Sequence, residues 1–144
     1  MRASRKVVWA GGILLALGVL HLASTLVISA DHLPGWFARE LWLSGESEMS
    51  MSALPPEAGA FWLSLGSFGL PLLLLGALVV RLGRRGEAPP AYVGWGVGVW
   101  GALGAYLLEP TPFVLTLIPA TLLLVAAYKT AAYKTAPPKT SPTT

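Results

Sequence analysis

Hydrophobic and polar positions fall into long blocks along this chain. Four segments carry no charged residue: VVWAGGILLALGVLHLASTLVI (7 to 28), AFWLSLGSFGLPLLLLGALVV (60 to 80), AYVGWGVGVWGALGAYLL (91 to 108) and PFVLTLIPATLLLVAAY (112 to 128). A membrane span takes roughly 17 to 25 residues. The first two segments cross comfortably on that measure, and the last two sit near the lower limit and stand with little tilt. The pattern predicts an all-α fold, an integral membrane four-helix bundle forming a single domain over residues 1 to 128. Pro112 suits the first turn of the fourth helix, where a missing N–H costs nothing, whereas Pro71 and Pro119 are expected to bend the helices they fall in.

Outside these blocks the sequence is more varied. The first loop, SADHLPGWFARELWLSGESEMSMSALPPEAG, places Trp36, Phe37 and Trp42 around a short amphipathic pattern. It predicts an outer helix lying at the membrane interface, with Phe61 and Trp62 completing an aromatic belt. After the fourth block AAYKT occurs at 126 to 130 and again at 131 to 135, and the chain ends APPKTSPTT. Residues 129 to 144 are read as a cytoplasmic tail, disordered beyond about Thr135, because a Pro/Thr-rich composition cannot bury a core.

Composition sharpens the class. Of the 144 residues 54% are apolar and only 12% charged, with a mean hydropathy of +0.63; a soluble protein averages about 25% charged. Cysteine, asparagine and glutamine are absent, which removes disulfides, thiol redox chemistry, thiolate metal sites and carboxamide bridges between helices. Charge then sets orientation. Arg2, Arg5 and Lys6 precede the first block, Arg81, Arg84 and Arg85 follow the second, and Lys129, Lys134 and Lys139 follow the fourth. Asp31, Glu40, Glu46, Glu48 and Glu57 lie in the first loop and Glu109 in the last; Arg39 and Glu87 are the exceptions. Basic residues accumulate in cytoplasmic loops, so both termini are expected in the cytoplasm of a multi-pass protein of the cell membrane. The net charge of +3 is an orientation signal, and no basic cluster interleaved with aromatics points to nucleic acid. A cleaved signal peptide would explain the basic start and the small residues VISA (27 to 30), but its apolar core runs about 7 to 15 residues, far short of this block.

The third block contains G-x-G-x-x-G at Gly96, Gly98 and Gly101. A dinucleotide-binding turn needs a preceding strand, a following helix and an acid about 20 positions on. EAPPAYV precedes it and IPATLLLV stands where the acid would be, so no cofactor is expected. At about 100° per residue, Gly94, Gly98, Gly101 and Ala105 share one side of a helix and Gly96 points away. Such a row lets another backbone approach closely. Gly11, Leu14, Gly18, His21 and Thr25 form a comparable stripe in the first helix, and Gly69 and Gly76 stand a heptad apart in the second. Packing within one chain is preferred for these rows over a homo-oligomer or a membrane-protein partner.

An ionisable residue inside a span is a functional candidate by default, and His21 is the one such residue here. Asp31, His32, Glu40 and Glu109 are its expected companions on the outer side. A histidine bonded to a carboxylate can hold a proton, bind a cation or act as acid and base on a lipid-like substrate. The bland alternative is a neutral imidazole bonded to a backbone carbonyl, Ser24 or Thr25, gluing two helices. For Asp31 and His32 it is a solvated helix end, and for Glu109 before Pro110 a tight turn. No dense ligand motif such as H-x-x-x-H is present, so no metal is expected.

FWLSLGSFGLPLLLLGALVVRLGRRG (61 to 86) and YLLEPTPFVLTLIPATLLL (106 to 124), with GVLHLAST in the first helix and ARELW in the outer loop, resemble a family of small bacterial four-helix membrane proteins catalogued as a domain of unknown function. The resemblance covers about residues 5 to 128 and rests on His21, the aromatic loop, the Phe–Trp pair opening helix two and the Pro-rich turn before helix four. It implies a bacterial inner-membrane location and brings no assigned activity. Three functions fit the residues, a non-enzymatic accessory or scaffold protein ranking first. A carrier would hold a small hydrophobic molecule in a cavity near His21 and Glu109. An enzyme would pair His21 with a carboxylate.

Overall fold

The computed structural model describes residues 4–38, 55–108 and 112–135. Every regular element among them is helical. In chain order these are α1 (Arg5–Ile28), a 3₁₀ turn (Ala30–His32), α2 (Leu33–Phe37), α3 (Pro56–Leu63), α4 (Gly69–Arg84), α5 (Ala91–Leu107), a 3₁₀ stretch (Pro112–Thr116) and α6 (Leu117–Thr135).

Two expectations change. The second apolar block is not one helix: it breaks between Leu63 and Gly69, where SLGSF runs as turn and bend. Pro71 is not the cause, because it is the third residue of α4, inside a first turn whose N–H groups lack helical partners anyway. Pro119 is likewise the third residue of α6, but the 3₁₀ stretch Pro112–Thr116 runs directly into that helix, so the helical path changes type just before this proline. Helix α6 continues to Thr135, which places residues 129–135, assigned above to the tail, in a helix; alanine and lysine are good helix formers, so helicity outlasts hydropathy here. Residues from 136 on, and the segment from Arg39 to Leu54 with its Trp42, lie outside the described residues.

Two stretches, Arg5–Ile28 and Pro112–Tyr133, are long and apolar enough to cross a membrane. Helix α4 falls short of that length and α5 sits at its lower limit. Their 16 and 17 residues span about 24 to 26 Å against a hydrocarbon core of about 30 Å.

The chain divides into two compact units, Met1–Ile13 with Gly76–Thr144, and Leu14–Leu75. In the first, Ser4 donates its backbone N–H to Gly83 O at 2.8 Å, and Val7, Ala10, Val79, Val97, Ala120 and Leu123 are buried. Helix α4 ends in a Schellman turn: Gly86 has φ 78°, Gly86 N–H bonds Gly83 O at 3.1 Å and Glu87 N–H bonds Leu82 O at 3.0 Å. Only glycine takes that φ without strain, and Arg81 and Arg84 in the last turn favour the negative helix end. Within this unit α5 lies against α6 and the 3₁₀ stretch. In the second unit Leu14, Leu72, Ala60, Ser29 and Ser64 are buried.

Candidate functional site

The break between α3 and α4 is where the second unit concentrates its polar groups. A chain that leaves the helical path frees backbone groups, and serine hydroxyls return to satisfy them. Ser64, fully buried, donates from Oγ to Ala60 O at 2.7 Å, and Ser29 donates to the same carbonyl at 3.3 Å. Gly66 N–H reaches Phe61 O at 2.8 Å. Ser67 Oγ donates to Ser64 O at 2.6 Å and accepts Gly69 N–H at 3.2 Å.

His21 completes this cluster from α1. Its Nε2 lies 3.0 Å from Ser67 Oγ. The hydroxyl has one proton, already given to Ser64, so the imidazole nitrogen is the donor and Ser67 accepts twice. The ring also lies 4.3 Å from that of Phe68 at 32°. Ser24 and Thr25 are not its partners: their hydroxyls donate to the His21 carbonyl, at 3.1 and 2.7 Å. His21 thus holds one unwound segment in place through its nitrogen and its face together.

Asp31 and His32 are the expected companions that lie among the described residues. Asp31 is exposed in the 3₁₀ turn. His32 Nδ1 pairs with Glu57 Oε1 at 3.7 Å, both side chains about one-third exposed (35% and 30%). Trp36 Nε1 donates to Glu57 O at 2.9 Å and its ring meets Phe61 edge-on at 5.9 Å. The segment of the 3₁₀ turn and α2 is therefore fastened to the start of α3, and Glu57, in sequence one loop acid among several, is the residue that receives it. Exposed ion pairs of this kind contribute about 0.2 to 1 kcal/mol, so Glu57→Gln is expected to lower stability by less than about 1 kcal/mol, read as a small shift in thermal midpoint. A loss of fold would contradict this. Glu40 and Glu109 lie outside the described residues.

The glycine rows sit at close approaches. A Cβ on Gly11 would lie 2.6 Å from Val80 N and 2.8 Å from Gly76 O; on Gly18 it would lie 2.9 Å from Leu73 N and 3.0 Å from Gly69 O. On Gly69 it would meet the His21 ring at 2.8 Å. In α5 a Cβ on Gly94 would press on Leu124 at 2.9 Å, and one on Gly101 would collide with Thr116 Oγ1. Gly98 has room for a methyl, 3.4 Å from Ala120 Cβ, and Gly96 faces open space. The three glycines of the nucleotide-like motif thus meet three different surroundings.

Among the described residues no three His, Asp or Glu side chains converge as a metal site would require. What the arrangement supports is helix packing around a hydroxyl-and-imidazole knot. It defines a small all-helical protein with two helices apolar enough for a membrane. The chain belongs to DUF6463, a family of unknown function, whose pattern matches residues 5–130. Neither the curated proteins nor the solved structures yielded a match.

Proposed function

We propose that this is a multi-pass membrane protein with four passages and both termini in the cytoplasm, acting as a non-enzymatic accessory or scaffold protein. The passages are α1, the interrupted α3–α4, α5 and the Pro112–Tyr133 stretch. The observation that carries this is the outward direction of the apolar side chains. Only 22% of the apolar stretch in α1 and 28% of that in Pro112–Tyr133 is buried within the protein, whereas an all-round apolar helix in a water-soluble fold is a core helix. Trp9, Leu20, Val27, Leu74, Leu78, Val99, Leu103 and Ile118 all point outward. Lipid is the solvent that suits them.

The break fits the same account. Irregular backbone at membrane depth persists only where protein groups satisfy it, and Ser64, Ser67 and His21 supply those groups. Retention of α1 is supported by Gly11 and Gly18, whose close approaches tie it to α4. An accessory role is favoured over an enzyme because the side chain bonded to His21 is a serine hydroxyl whose proton is committed elsewhere, and among the described residues no carboxylate bonds the imidazole to orient or charge it.

The absence of cysteine makes topology directly measurable. Glu87→Cys and Ala38→Cys, both at exposed positions, are expected to react with a membrane-impermeant maleimide from opposite sides, Ala38→Cys from outside intact cells and Glu87→Cys only after permeabilisation. Labelling of both from one side would overturn the four passages. Native mass spectrometry of gently extracted protein tests the role: a complex of fixed stoichiometry is expected, and turnover of a lipid by the isolated chain would overturn it.

A further inference from the structure

On the membrane reading above, the exposed apolar face of α5 and α6 is turned to lipid. Trp95, Val99 and Ala102 of one helix and Leu117, Thr121 and Leu124 of the other wall a groove of about 280 Å³. Its floor is Gly98 and Ala120, side chains too small to fill it. The walls are almost wholly apolar: the Thr121 hydroxyl donates back to Leu117 O at 2.8 Å, inside its own helix, and has no proton left for a guest. Pockets for compact ligands run about 300 to 1,000 Å³ and enclose most of their guest, so this smaller, side-open slot suits a chain.

One end of the slot differs. Trp95 Nε1 donates to Tyr128 Oη at 3.1 Å, joining the two helices, and the exposed Lys129 follows at once. The slot itself runs from Leu117 to Leu124, seven steps of helix or about 10 Å, and Tyr128, a turn further on the same face, extends it to about 16 Å, half of a hydrocarbon core of about 30 Å. The slot is apolar along its length, and a tyrosine hydroxyl followed by an exposed lysine stands one turn beyond its mouth.

We propose that the α5–α6 groove holds one acyl chain of an anionic phospholipid of the cytoplasmic leaflet, with its phosphate beside Tyr128 and Lys129. Apolar burial holds the chain, and the lysine selects the headgroup, since a basic residue at an anionic membrane surface favours binding about fivefold. A second copy of the protein seated in the groove would leave that mouth without a complement.

The test uses full-length protein, delipidated in mild detergent and offered phosphatidylglycerol or phosphatidylcholine of equal chain length, with bound lipid counted by native mass spectrometry. One phosphatidylglycerol per chain is expected. Ala102→Phe and Thr121→Phe fill the slot from exposed positions and are each expected to cut binding of both lipids at least about tenfold. Lys129→Ala is expected to weaken phosphatidylglycerol about fivefold and leave phosphatidylcholine unchanged. Undiminished binding in both phenylalanine variants, or a dimer that the phenylalanines disrupt while lipid stays bound, overturns the site. Protein that stays in alkali-washed membranes while failing this test loses the lipid site alone; protein recovered from the aqueous fraction loses the membrane reading as well.

Discussion

Gly11→Ala is expected to destabilise the protein by about 3 kcal/mol, while Gly12→Ala, one residue further on, raises stability by up to about 1 kcal/mol. The two substitutions add the same methyl to the same helix. They change hydropathy, chain entropy and helix propensity equally, so their difference isolates packing. At Gly11 the new Cβ would stand 2.6 Å from Val80 N and 2.8 Å from Gly76 O, both backbone atoms of α4. Backbone cannot rotate aside as a side-chain tip can, so α1 and α4 must separate and many contacts weaken together. At Gly12 nothing lies within 4 Å, and alanine gains the usual propensity advantage over glycine. Gly18, with Leu73 N at 2.9 Å, is expected to behave as Gly11 does. Unfolding in mixed micelles of rising dodecyl sulfate fraction measures the difference. Equal midpoints for the Gly11 and Gly12 variants would mean that α1 and α4 do not meet as described.

The glycine rows were legible in the sequence because a helix has a fixed angular step, so that Gly94, Gly98 and Gly101 are neighbours on any α-helix whatever surrounds it. What they touch was not legible, since spacing gives a face and not its partner. The break after Leu63 was invisible for a different reason. Hydropathy runs unbroken from Ala60 to Val80, and Pro71 drew attention to a place where the helix had in fact just begun. Breaking a helix in an apolar run depends on hydroxyls and a ring arriving from elsewhere in the chain, Ser29 from 35 positions before Ser64 and His21 from 46 before Ser67. Such tertiary satisfaction has no local signal beyond the two serines themselves. His21 was legible as the one ionisable residue within an apolar block, and so was the alternative of a polar clamp between helices, but the hydroxyl that meets it, Ser67, comes from the break between α3 and α4 rather than from Ser24 or Thr25 beside it. Glu57 has no signal in the sequence, because one acid among several in a loop carries no pattern apart from the histidine and the indole that converge on it in the fold.

His21→Ala is expected to cost about 2 to 3 kcal/mol, from a lost hydrogen bond and from the space left against Phe68. Ser67→Ala is expected to cost about as much by another route, since it leaves the His21 Nε2–H and the Gly69 N–H without an acceptor at a part-buried site. The double variant decides what the histidine is for. If His21 serves to hold the break, removing both partners costs less than the sum of the single losses, with a coupling of about 0.5 to 3 kcal/mol. The imidazole missing from the double variant no longer needs an acceptor, so one of the two orphaned donors disappears with it. A histidine retained for chemistry predicts a different outcome, in which His21→Ala leaves the unfolding midpoint where it was and removes a cellular phenotype that Ser67→Ala preserves. The geometry favours the first result, because the ring reaches the unwound segment by a nitrogen at 3.0 Å and by a face at 4.3 Å, two contacts that fix a ring rather than leave it free to meet a substrate. Additive losses in the cycle would remove the clamp and return His21 to candidacy as a reacting group.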